Sequence, residues 1–309
     1  MTVPRDPVRI GIDLGGSKIE AAALDGQGVI RSRRRVATPA GDYPGTIRAI
    51  CELVESIERD LGERGTVGIG IPGAISPFTG LVKNANSTCL IGHPLDRDIA
   101  AALGRPVRLA NDADCFALSE SVDGAAAGVA TVFGVILGTG VGGGVAVRER
   151  LLAGPNAIAG EWGHSPLPWP LDDERPGALC YCGKRGCIET FVSGPGLARD
   201  HATVAGEALS AIEIVQRADA GDAQADATMR RYEDRLARAL ATVINLIDPH
   251  VIVLGGGLGQ ISRLYRAVPA LWSRYVFSDT VATRLVPPRY GDSSGVRGAA
   301  WLWTADERP

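Results

Sequence analysis

Short apolar runs separated by polar turns mark the first half of the chain, with one longer amphipathic stretch among them. In that stretch the apolar side chains from Ile47 to Leu61 recur every three or four residues, which predicts a helix over Tyr43–Leu61. A shorter helix is predicted over Asp96–Leu103, and another begins near Asp112. The apolar runs predict strands over Val8–Asp13, Ile19–Leu24, Val29–Val36, Thr66–Ile71 and Val107–Ala110. Strands that alternate with helices are typical of an α/β fold.

The second half of the chain repeats the opening pattern. A strand over Thr131–Leu137 enters the glycine turn Gly138–Gly144, and Val145–Val147 continues as a strand. The segment that starts at Gly134 matches the one that starts at Gly11, each reading strand, glycine turn, strand. This self-similarity predicts an internal duplication into two related α/β domains. The remaining predictions are a long helix over Ala223–Ile247, a strand over Val251–Leu254, a turn at Gly255–Gly257 that leads into a helix, and a closing helix over Gly295–Trp303.

Length and charge narrow the class of protein. A chain of 309 residues suggests about two domains. We place a smaller domain at 1–117 with 295–309 and a larger one at 118–294. The formal net charge of −3 argues against a nucleic-acid-binding protein and against a polybasic membrane-surface protein.

The longest uncharged segment does not predict a membrane span. The 24 uncharged residues from Gly124 to Val147 include eight glycines, which disfavours a membrane-spanning helix. The N-terminus lacks the pattern of a secretory signal, so we expect a cytoplasmic protein with reduced cysteines.

The glycine turns are the first candidates for chemistry, because backbone N–H groups without a neighbouring Cβ can surround a phosphate. The spacing Gly138-x-Gly140-x-x-Gly143 also fits a dinucleotide fingerprint, but a strand follows it where that fingerprint needs a helix. Three such turns, two of them at equivalent places in a duplicated chain, favour phosphate binding over plain hairpins. Asp13, at the end of the first strand, serves equally well as a turn residue or as a partner of hydrated Mg²⁺ on a nucleotide.

Asn111 and Asp112 come between a strand and a helix. By pattern alone a helix N-cap is the favoured interpretation. The alternative is a general base at the carboxyl end of a strand, where α/β proteins place ligands.

The cysteine cluster is the sharpest local signal. His164 is followed by Cys180, Cys182 and Cys187, a Cys₃His set that suits tetrahedral Zn²⁺ with no open position, and therefore a structural metal. Glu161 and Glu189 flank the set. They are either solvated loop residues or, if the metal holds the loop rigid, acceptors for vicinal hydroxyls.

Six motifs occur in order along nearly the whole chain: GIDLGGSK, AND with Asp112, GTGVGGG, GEWGH, CYCGKRGCIE and VIVLGGG. With them the chain resembles the ROK family of sugar kinases and repressors. Within that family it is most similar to bacterial fructokinases, in the stretches GAISPFTGLVKNANST, SVDGAAAGVATVF, GEWGHSPLPWP and GDSSGVRGAAWLW. N-acetylglucosamine kinases share the general pattern of the family but tend to differ from this sequence around Lys83–Thr88.

The resemblance implies a duplicated actin-like, hexokinase-like (ribonuclease H-like) α/β fold with an interdomain cleft. It implies phosphorylation of a hexose, D-fructose before glucose, mannose or N-acetylglucosamine, by ATP with Mg²⁺, in a homodimer with a structural Zn²⁺. Asp112 would be the general base. The residues implied to hold the sugar are Gly73, Asn86, Asn111, Asp112, Glu161, His164 and Glu189. Those implied to hold the nucleotide are Asp13, Gly15, Gly16, Ser17, Lys18, Gly138, Thr139, Gly140, Gly255, Gly256 and Gly257.

Two positions depart from the family pattern. Ser17 stands where threonine is usual and keeps the hydroxyl, and Asp114 stands where asparagine is usual. Asp114 is two residues from Asp112 and so lies on another face of a helix, which predicts a small effect on the base. The alternatives of another class are a sugar-responsive repressor, for whose N-terminal DNA-binding domain we expect no room before Val8, and a non-catalytic sugar sensor.

Overall fold

A computed structural model describes residues 8–85, 87–304 and 307, and these divide into two compact units. The first unit comprises the described residues of Met1–Gly128, Gly144–Ala159 and Arg289–Pro309. The second comprises Val129–Gly143 and Gly160–Pro288.

Twelve strands and nine α-helices are formed by the described residues. The strands are β1 (Arg9–Leu14), β2 (Lys18–Leu24), β3 (Ile30–Ala37), β4 (Thr66–Ile71), β5 (Ala74–Ile75), β6 (Val82–Lys83), β7 (Arg108–Asn111), β8 (Thr131–Leu137), β9 (Val141–Val147), β10 (Arg150–Leu151), β11 (Val251–Gly255) and β12 (Arg284–Val286). The helices are α1 (Tyr43–Leu61), α2 (Leu95–Leu103), α3 (Asp112–Val122), α4 (Glu189–Val192), α5 (Gly194–Ala205), α6 (Ala211–Asp219), α7 (Ala223–Ile247), α8 (Leu264–Trp272) and α9 (Ser294–Ala300).

Two five-stranded sheets carry the fold, and they have the same connectivity. Their orders are β3-β2-β1-β4-β7 and β10-β9-β8-β11-β12, so in each the third, second, first, fourth and fifth strands follow one another. In the first sheet β1, β4 and β7 are parallel to one another, and β2 pairs antiparallel with both β1 and β3. In the second sheet β8, β11 and β12 are parallel. This repeated order is the duplication that the glycine turns predicted.

Helix α1 shows how the sequence sets an element. Asp42 caps its first turn by accepting a hydrogen bond from the Gly45 N–H at 2.9 Å, and Gly62 ends it in a left-handed conformation. Its buried face places Ile50, Leu53, Val54 and Ile57 in the core of the first unit. Burying each such side chain stabilises the fold by about 1.5–3 kcal/mol.

The elements that the sequence predicted mostly agree within a residue or two, whereas strands β5, β6, β10 and β12 and helices α4, α5 and α6 were not predicted. Strand β9 begins at Val141, inside the run for which the sequence predicts a glycine loop. The glycines there leave room for Trp162, whose indole N–H donates to the Gly142 carbonyl at 3.1 Å. After Gly255–Gly257 a 3₁₀ turn precedes α8, so the predicted helix starts later. The predicted closing helix ends at Ala300.

The long uncharged segment is not a helix, because Thr131–Leu137 and Val141–Val147 are strands. Throughout the described part of the chain, helices that combine the length and the hydropathy needed to cross a bilayer are absent.

Candidate functional site

The carboxyl ends of the parallel strands in the first unit carry most of its predicted site residues. Asp13 is the next-to-last residue of β1, and Asp112 follows β7 as the first residue of α3. Burial raises the pKa of Asp13 to about 6, and the nearby Asp112 carboxylate is the next contributor. Two carboxylates therefore share a partly desolvated space, an arrangement that attracts a cation or a hydroxyl proton.

Asn111 is the N-cap of α3, as the favoured interpretation of the Asn111-Asp112 pair predicted. Its side-chain oxygen accepts a hydrogen bond from the Ala113 N–H at 2.9 Å, and its amide donates to the Gly73 carbonyl at 3.1 Å. Asp112 Oδ1 also accepts from the Ala113 N–H, at 2.8 Å. The N-cap and the candidate base are thus neighbouring residues, and both accept from the Ala113 N–H.

Gly73 occupies a position that admits no side chain. Its φ is +82°, and a Cβ there would lie 2.3 Å from the Lys83 carbonyl oxygen. The turn after β4 therefore packs directly on β6 and presents its carbonyl to Asn111.

Some backbone N–H and carbonyl groups of the first glycine turn already form hydrogen bonds within the protein. The Gly15 N–H donates to the Lys18 carbonyl at 3.0 Å, and Thr38 Oγ1 donates to the Gly15 carbonyl at 2.7 Å. The Thr38 N–H donates to the Ser17 carbonyl at 3.0 Å. A phosphate at this turn would therefore rely on donors other than the Gly15 N–H. Thr38 was not predicted, because the pairing of β2 with β3 brings it to the turn.

Some of these groups line one cavity of about 400 Å³ in the first unit, and the described residues of this unit that were predicted but do not line it are Ser17, Lys18, Gly73 and Asn111. It gathers four predicted residues, which are Asp13, Gly15, Gly16 and Asp112. The other lining residues, which the sequence did not single out, are Leu14, Thr38, Pro39, Ala40, Gly41, Thr46, Pro72, Ser87, Thr88, Cys89 and Leu90. Asn86, predicted to hold the sugar, lies outside the described residues.

The second glycine turn is held by Glu189. The Val141 N–H donates to Glu189 Oε2 at 3.0 Å, and the Gly138 N–H donates to the Gly140 carbonyl at 3.0 Å. Glu189 Oε1 lies 3.9 Å from the Cys180 sulfur. One carboxylate therefore links the glycine turn to the cysteine cluster, a connection that no local pattern indicated.

A second cavity, of about 640 Å³, lies in the second unit beside this turn. Of the predicted nucleotide residues it contains Gly138, Thr139 and Gly257. Gly256, at φ +77°, has no space for a Cβ because one would lie 2.3 Å from the Leu137 carbonyl oxygen. The walls that the sequence missed come mainly from α6 and from the segment after the glycines, namely Gly194, Pro195, Ala211, Ile212, Val215, Gln216, Asp219, Leu258, Gln260, Ile261, Ser262 and Arg263. The sequence pattern of a capping box, Ser210 followed three residues later by Glu213, would have predicted the start of α6.

The four predicted metal ligands converge. The donor atoms of His164, Cys180, Cys182 and Cys187 all lie within 4.8 Å of one another. Cys182 Sγ is 3.6 Å from Cys187 Sγ, and Cys180 Sγ is 3.5 Å from His164 Nδ1. With Zn–S bonds of about 2.3 Å, a tetrahedral site separates its sulfurs by about 3.8 Å.

The chemistry of this donor set fits Zn²⁺. Three soft sulfur donors and one imidazole nitrogen are the ligands of closed structural sites. In the protein alone, burial raises the pKa of the Cys187 thiol to about 12. A bound divalent cation would reverse that shift by ionising the thiol.

Glu161 and His164, the two other predicted sugar residues of this unit, lie at the two ends of one short turn, and His164 also belongs to the cluster. Trp162–His164 form a 3₁₀ turn, with Trp162 packed edge-on to Phe133 at 5.7 Å between ring centroids. This anchor holds the exposed Glu161 before it and His164 at its end. His164 Nε2 lies 2.8 Å from the Tyr181 hydroxyl, a contact the sequence did not predict.

A buried ionic network holds the segment that precedes the cysteines. Glu174 accepts from Arg235 Nε and from Arg238 Nη2, each at 2.7 Å. Burial of Glu174 acts to raise its pKa, but the hydrogen bonds from Arg238 and Arg235 prevail and hold the pKa at about 2. Arg238 also donates to the Trp169 carbonyl at 2.9 Å. Helix α7 thereby positions the loop between His164 and Cys180.

Comparison with known proteins shows the family of the chain. The profile of the ROK family matches residues 9–306. The chain belongs to the ROK family. It is 39% identical to an N-acetyl-D-glucosamine kinase from Yersinia pseudotuberculosis serotype O:3 (strain YPIII), over 96% of this chain and 99% of the relative.

Solved ROK structures have the same fold. A ROK hexokinase from Thermus thermophilus matches with a TM-score of 0.84 and 32% identity, over 95% of this chain and 97% of that one. A ROK glucokinase from Streptomyces griseus, in complex with glucose and AMPPNP, matches with a TM-score of 0.74 and 29% identity, over 96% and 98%. The ROK chain described here therefore has the hexokinase-like, actin-like α/β fold with mixed sheets that the resemblance implied.

Proposed function

We propose that this ROK protein is a kinase that transfers the γ-phosphoryl group of ATP to a primary hydroxyl of a hexose. The observation that carries the proposal is the cavity of the first unit, which joins Asp112, Asp13 and the first glycine turn. Phosphoryl transfer needs a positioned acceptor, a proton acceptor and groups that stabilise phosphate charge. The first unit holds candidates for the last two, in a chain that matches the family along almost its whole length.

Asp112 is the proposed general base. It takes the proton of the sugar hydroxyl as that oxygen bonds to the γ-phosphorus, and ADP leaves with the electrons of the broken P–O bond. The proposal gives the sugar-holding roles to Gly73, Asn86 and Asn111 in the first unit and to Glu161, His164 and Glu189 in the second. Carboxylate, amide and imidazole groups are the hydrogen-bonding partners that a polyhydroxy substrate requires.

The nucleotide is proposed to use both glycine turns. Its phosphates would lie against Gly15, Gly16, Ser17 and Lys18 of the first turn and against Gly138, Thr139 and Gly140 of the second. The cavity of about 640 Å³ beside Gly255–Gly257 would take the adenosine, and its Ile212, Val215 and Ile261 offer apolar surface for a base. Asp13 would hold Mg²⁺ that comes with the nucleotide, since a bound cation would offset the burial and the repulsion from Asp112 that raise the pKa of this carboxyl.

Zn²⁺ is proposed as a structural ion held by His164, Cys180, Cys182 and Cys187. When bound it would lock the loop that carries His164 and the start of α4 that carries Glu189. Four protein ligands leave no position for a substrate, so the metal would have no part in the phosphoryl transfer.

D-Fructose is the substrate that we propose first, and N-acetyl-D-glucosamine is the second candidate. The first rests on the resemblance of the stretch from Gly73 to Thr88, which contains β5 and β6, to fructokinases. The second is favoured by the relatives, since the N-acetyl-D-glucosamine kinases are 38–39% identical over nearly the full length. Both sugars present hydroxyls to the same acceptors, so these residues do not rank them.

The test is ADP release from Mg–ATP with fructose, mannose, glucose and N-acetylglucosamine, compared by kcat/KM with zinc-replete protein. Fructose is expected to lead, by at least about tenfold, which corresponds to about 1.4 kcal/mol in transition-state binding. A lead for N-acetylglucosamine would keep the kinase and overturn the fructose assignment. Sugar binding without ADP release for any of the four would overturn the kinase in favour of a sensor.

A further inference from the structure

Tyr181 makes one specific contact that the proposed reaction does not use. Its hydroxyl lies 2.8 Å from His164 Nε2, and the two rings meet edge to face at 90° with centroids 5.0 Å apart. The side chain is 77% exposed, so packing contributes little to its position. The hydrogen bond to His164 is therefore what places the Tyr181 hydroxyl.

His164 has a single ring position to offer a substrate. Its Nδ1 faces the sulfur of Cys180 at 3.5 Å, on the side of the proposed metal. A neutral imidazole that ligates a metal through Nδ1 carries its proton on Nε2. That one N–H makes one strong hydrogen bond, and Tyr181 already accepts it.

The phenol resembles a sugar hydroxyl in the properties that matter at this position. An ordinary phenol has a pKa of about 10, so the Tyr181 hydroxyl is neutral at physiological pH. The Glu189 and Glu161 carboxylates, which are both proposed to hold the sugar, are close enough to interact with it electrostatically. It offers His164 the same acceptor oxygen as an alcohol of the substrate.

We infer that Tyr181 is a displaceable cap on His164, whose hydroxyl competes with a sugar hydroxyl for the Nε2 proton. This inference rests on the proposed function, which assigns His164 to the sugar. Binding of the sugar then requires the tyrosine to leave, and its exposure makes that rotation easy. The apparent affinity for the sugar is lowered by the fraction of molecules in which the cap is closed.

The test is Tyr181→Phe, which removes the hydroxyl and keeps the ring. The loss of one exposed neutral hydrogen bond corresponds to a decrease of about twofold to tenfold in KM for the preferred panel sugar, with kcat unchanged. Calorimetric titration of that sugar without ATP is expected to give the same decrease in Kd. Tyr275→Phe is the matched control, because it removes a hydroxyl bonded to Asp234 at 2.6 Å in the same unit. Zinc content is expected to be equal in all three proteins.

A spectroscopic readout tests the displacement directly. In protein with ¹³Cζ-labelled tyrosine, the signal missing from Tyr181→Phe identifies Tyr181, and saturating sugar is expected to shift it in the wild type. A higher KM in the variant, an unchanged Kd or an unmoved signal would each overturn the cap while leaving the kinase intact. If none of the panel sugars binds the wild-type protein, the proposed function and the cap are both wrong.

Discussion

At the scale of single residues, the neighbouring residues Asn111 and Asp112 have different surroundings. The Asn111 side chain bonds to the Ala113 N–H and to the Gly73 carbonyl, which orients the start of α3. Asp112, next to it, lines the cavity with Asp13. The difference arises because only one residue can be the N-cap, and the following residue then projects from the first turn of the helix.

Asp112→Asn is expected to lower kcat by about 10²–10⁴-fold, the usual contribution of a general base, with an unchanged unfolding midpoint. Asp114→Asn is the matched control on the same turn of α3 and is expected to keep kcat within about twofold. Steady-state kinetics and thermal unfolding of both variants check this. Turnover of Asp112→Asn close to wild type would remove Asp112 from the role of base.

Asp13 makes the free energy of unfolding depend on pH. Its pKa rises from an ordinary value of 3.8 to about 6 in the folded protein, so the folded state binds more protons between these values. The free energy of unfolding then falls as the pH rises from about 4 to about 6, and the penalty is complete above that range. At about 1.4 kcal/mol per pKa unit, the charge on Asp13 costs about 3 kcal/mol at pH 8.

Asp13→Asn is therefore expected to raise the unfolding free energy by up to about 3 kcal/mol at pH 8 and by much less at pH 4. Denaturant titrations at several pH values measure the difference, with the exposed Asp279→Asn as control. A pH-independent difference between Asp13→Asn and wild type would contradict the buried-carboxylate explanation.

At the scale of elements, the segment from Glu161 to Glu189 has little regular secondary structure. Three groups of side-chain contacts hold it in place. Trp162 anchors the start of the segment, and the ion pairs of Glu174 with α7 hold its middle. The cysteine cluster brings its end close to His164. Backbone hydrogen bonds within the segment are local turns and two isolated bridges, so side-chain contacts and a metal would add the constraints that a regular helix or sheet supplies elsewhere.

Cys182→Ser is expected to lose zinc, to lower the melting temperature and to raise the sugar KM by about tenfold or more, since the carboxylates around the cluster lose their fixed positions. Cys51→Ser, on α1 of the first unit, is expected to keep both zinc and KM. Metal analysis by mass spectrometry and sugar kinetics provide the measurements. Full zinc occupancy in Cys182→Ser, or a zinc-free variant with normal KM, would show that the cluster has no such role.

At the scale of the whole molecule, the resemblance predicts a homodimer, which remains a proposal. Large apolar side chains are exposed on the second unit, among them Trp169, Leu171 and Leu179, at 53%, 57% and 65%. We propose that these side chains form part of the contact between subunits, because a contact between subunits covers apolar surface.

Light scattering is expected to give twice the chain mass of 32.3 kDa for the wild type. Leu171→Glu is expected to shift the protein toward the monomer at micromolar concentration, because burying a charge in an apolar contact is costly. Leu152→Glu, at a side chain exposed to 50% in the first unit, is the control. A monomeric wild type would contradict the homodimer.

Local patterns sufficed for features that depend on neighbours along the chain. Helix α1, strands β4 and β8 and helix α7 agree with their predicted bounds, because periodic apolar positions and caps decide them. The spacing of Cys180, Cys182 and Cys187 around two glycines predicted their convergence for the same reason. Equivalent glycine turns in two segments predicted an internal duplication, and the two sheets share one strand order.

Contacts between residues distant in sequence were beyond those patterns. Thr38 reaches the first glycine turn through strand pairing, and α6 lines the second cavity although no motif in it indicates a ligand. Glu189 was predicted beside the sugar, yet its bond to the Val141 N–H depends on how the start of α4 meets the start of β9. Side-chain chemistry and periodicity follow from the order of residues, whereas the partner of each polar group depends on which elements pack together, and only the folded chain decides that.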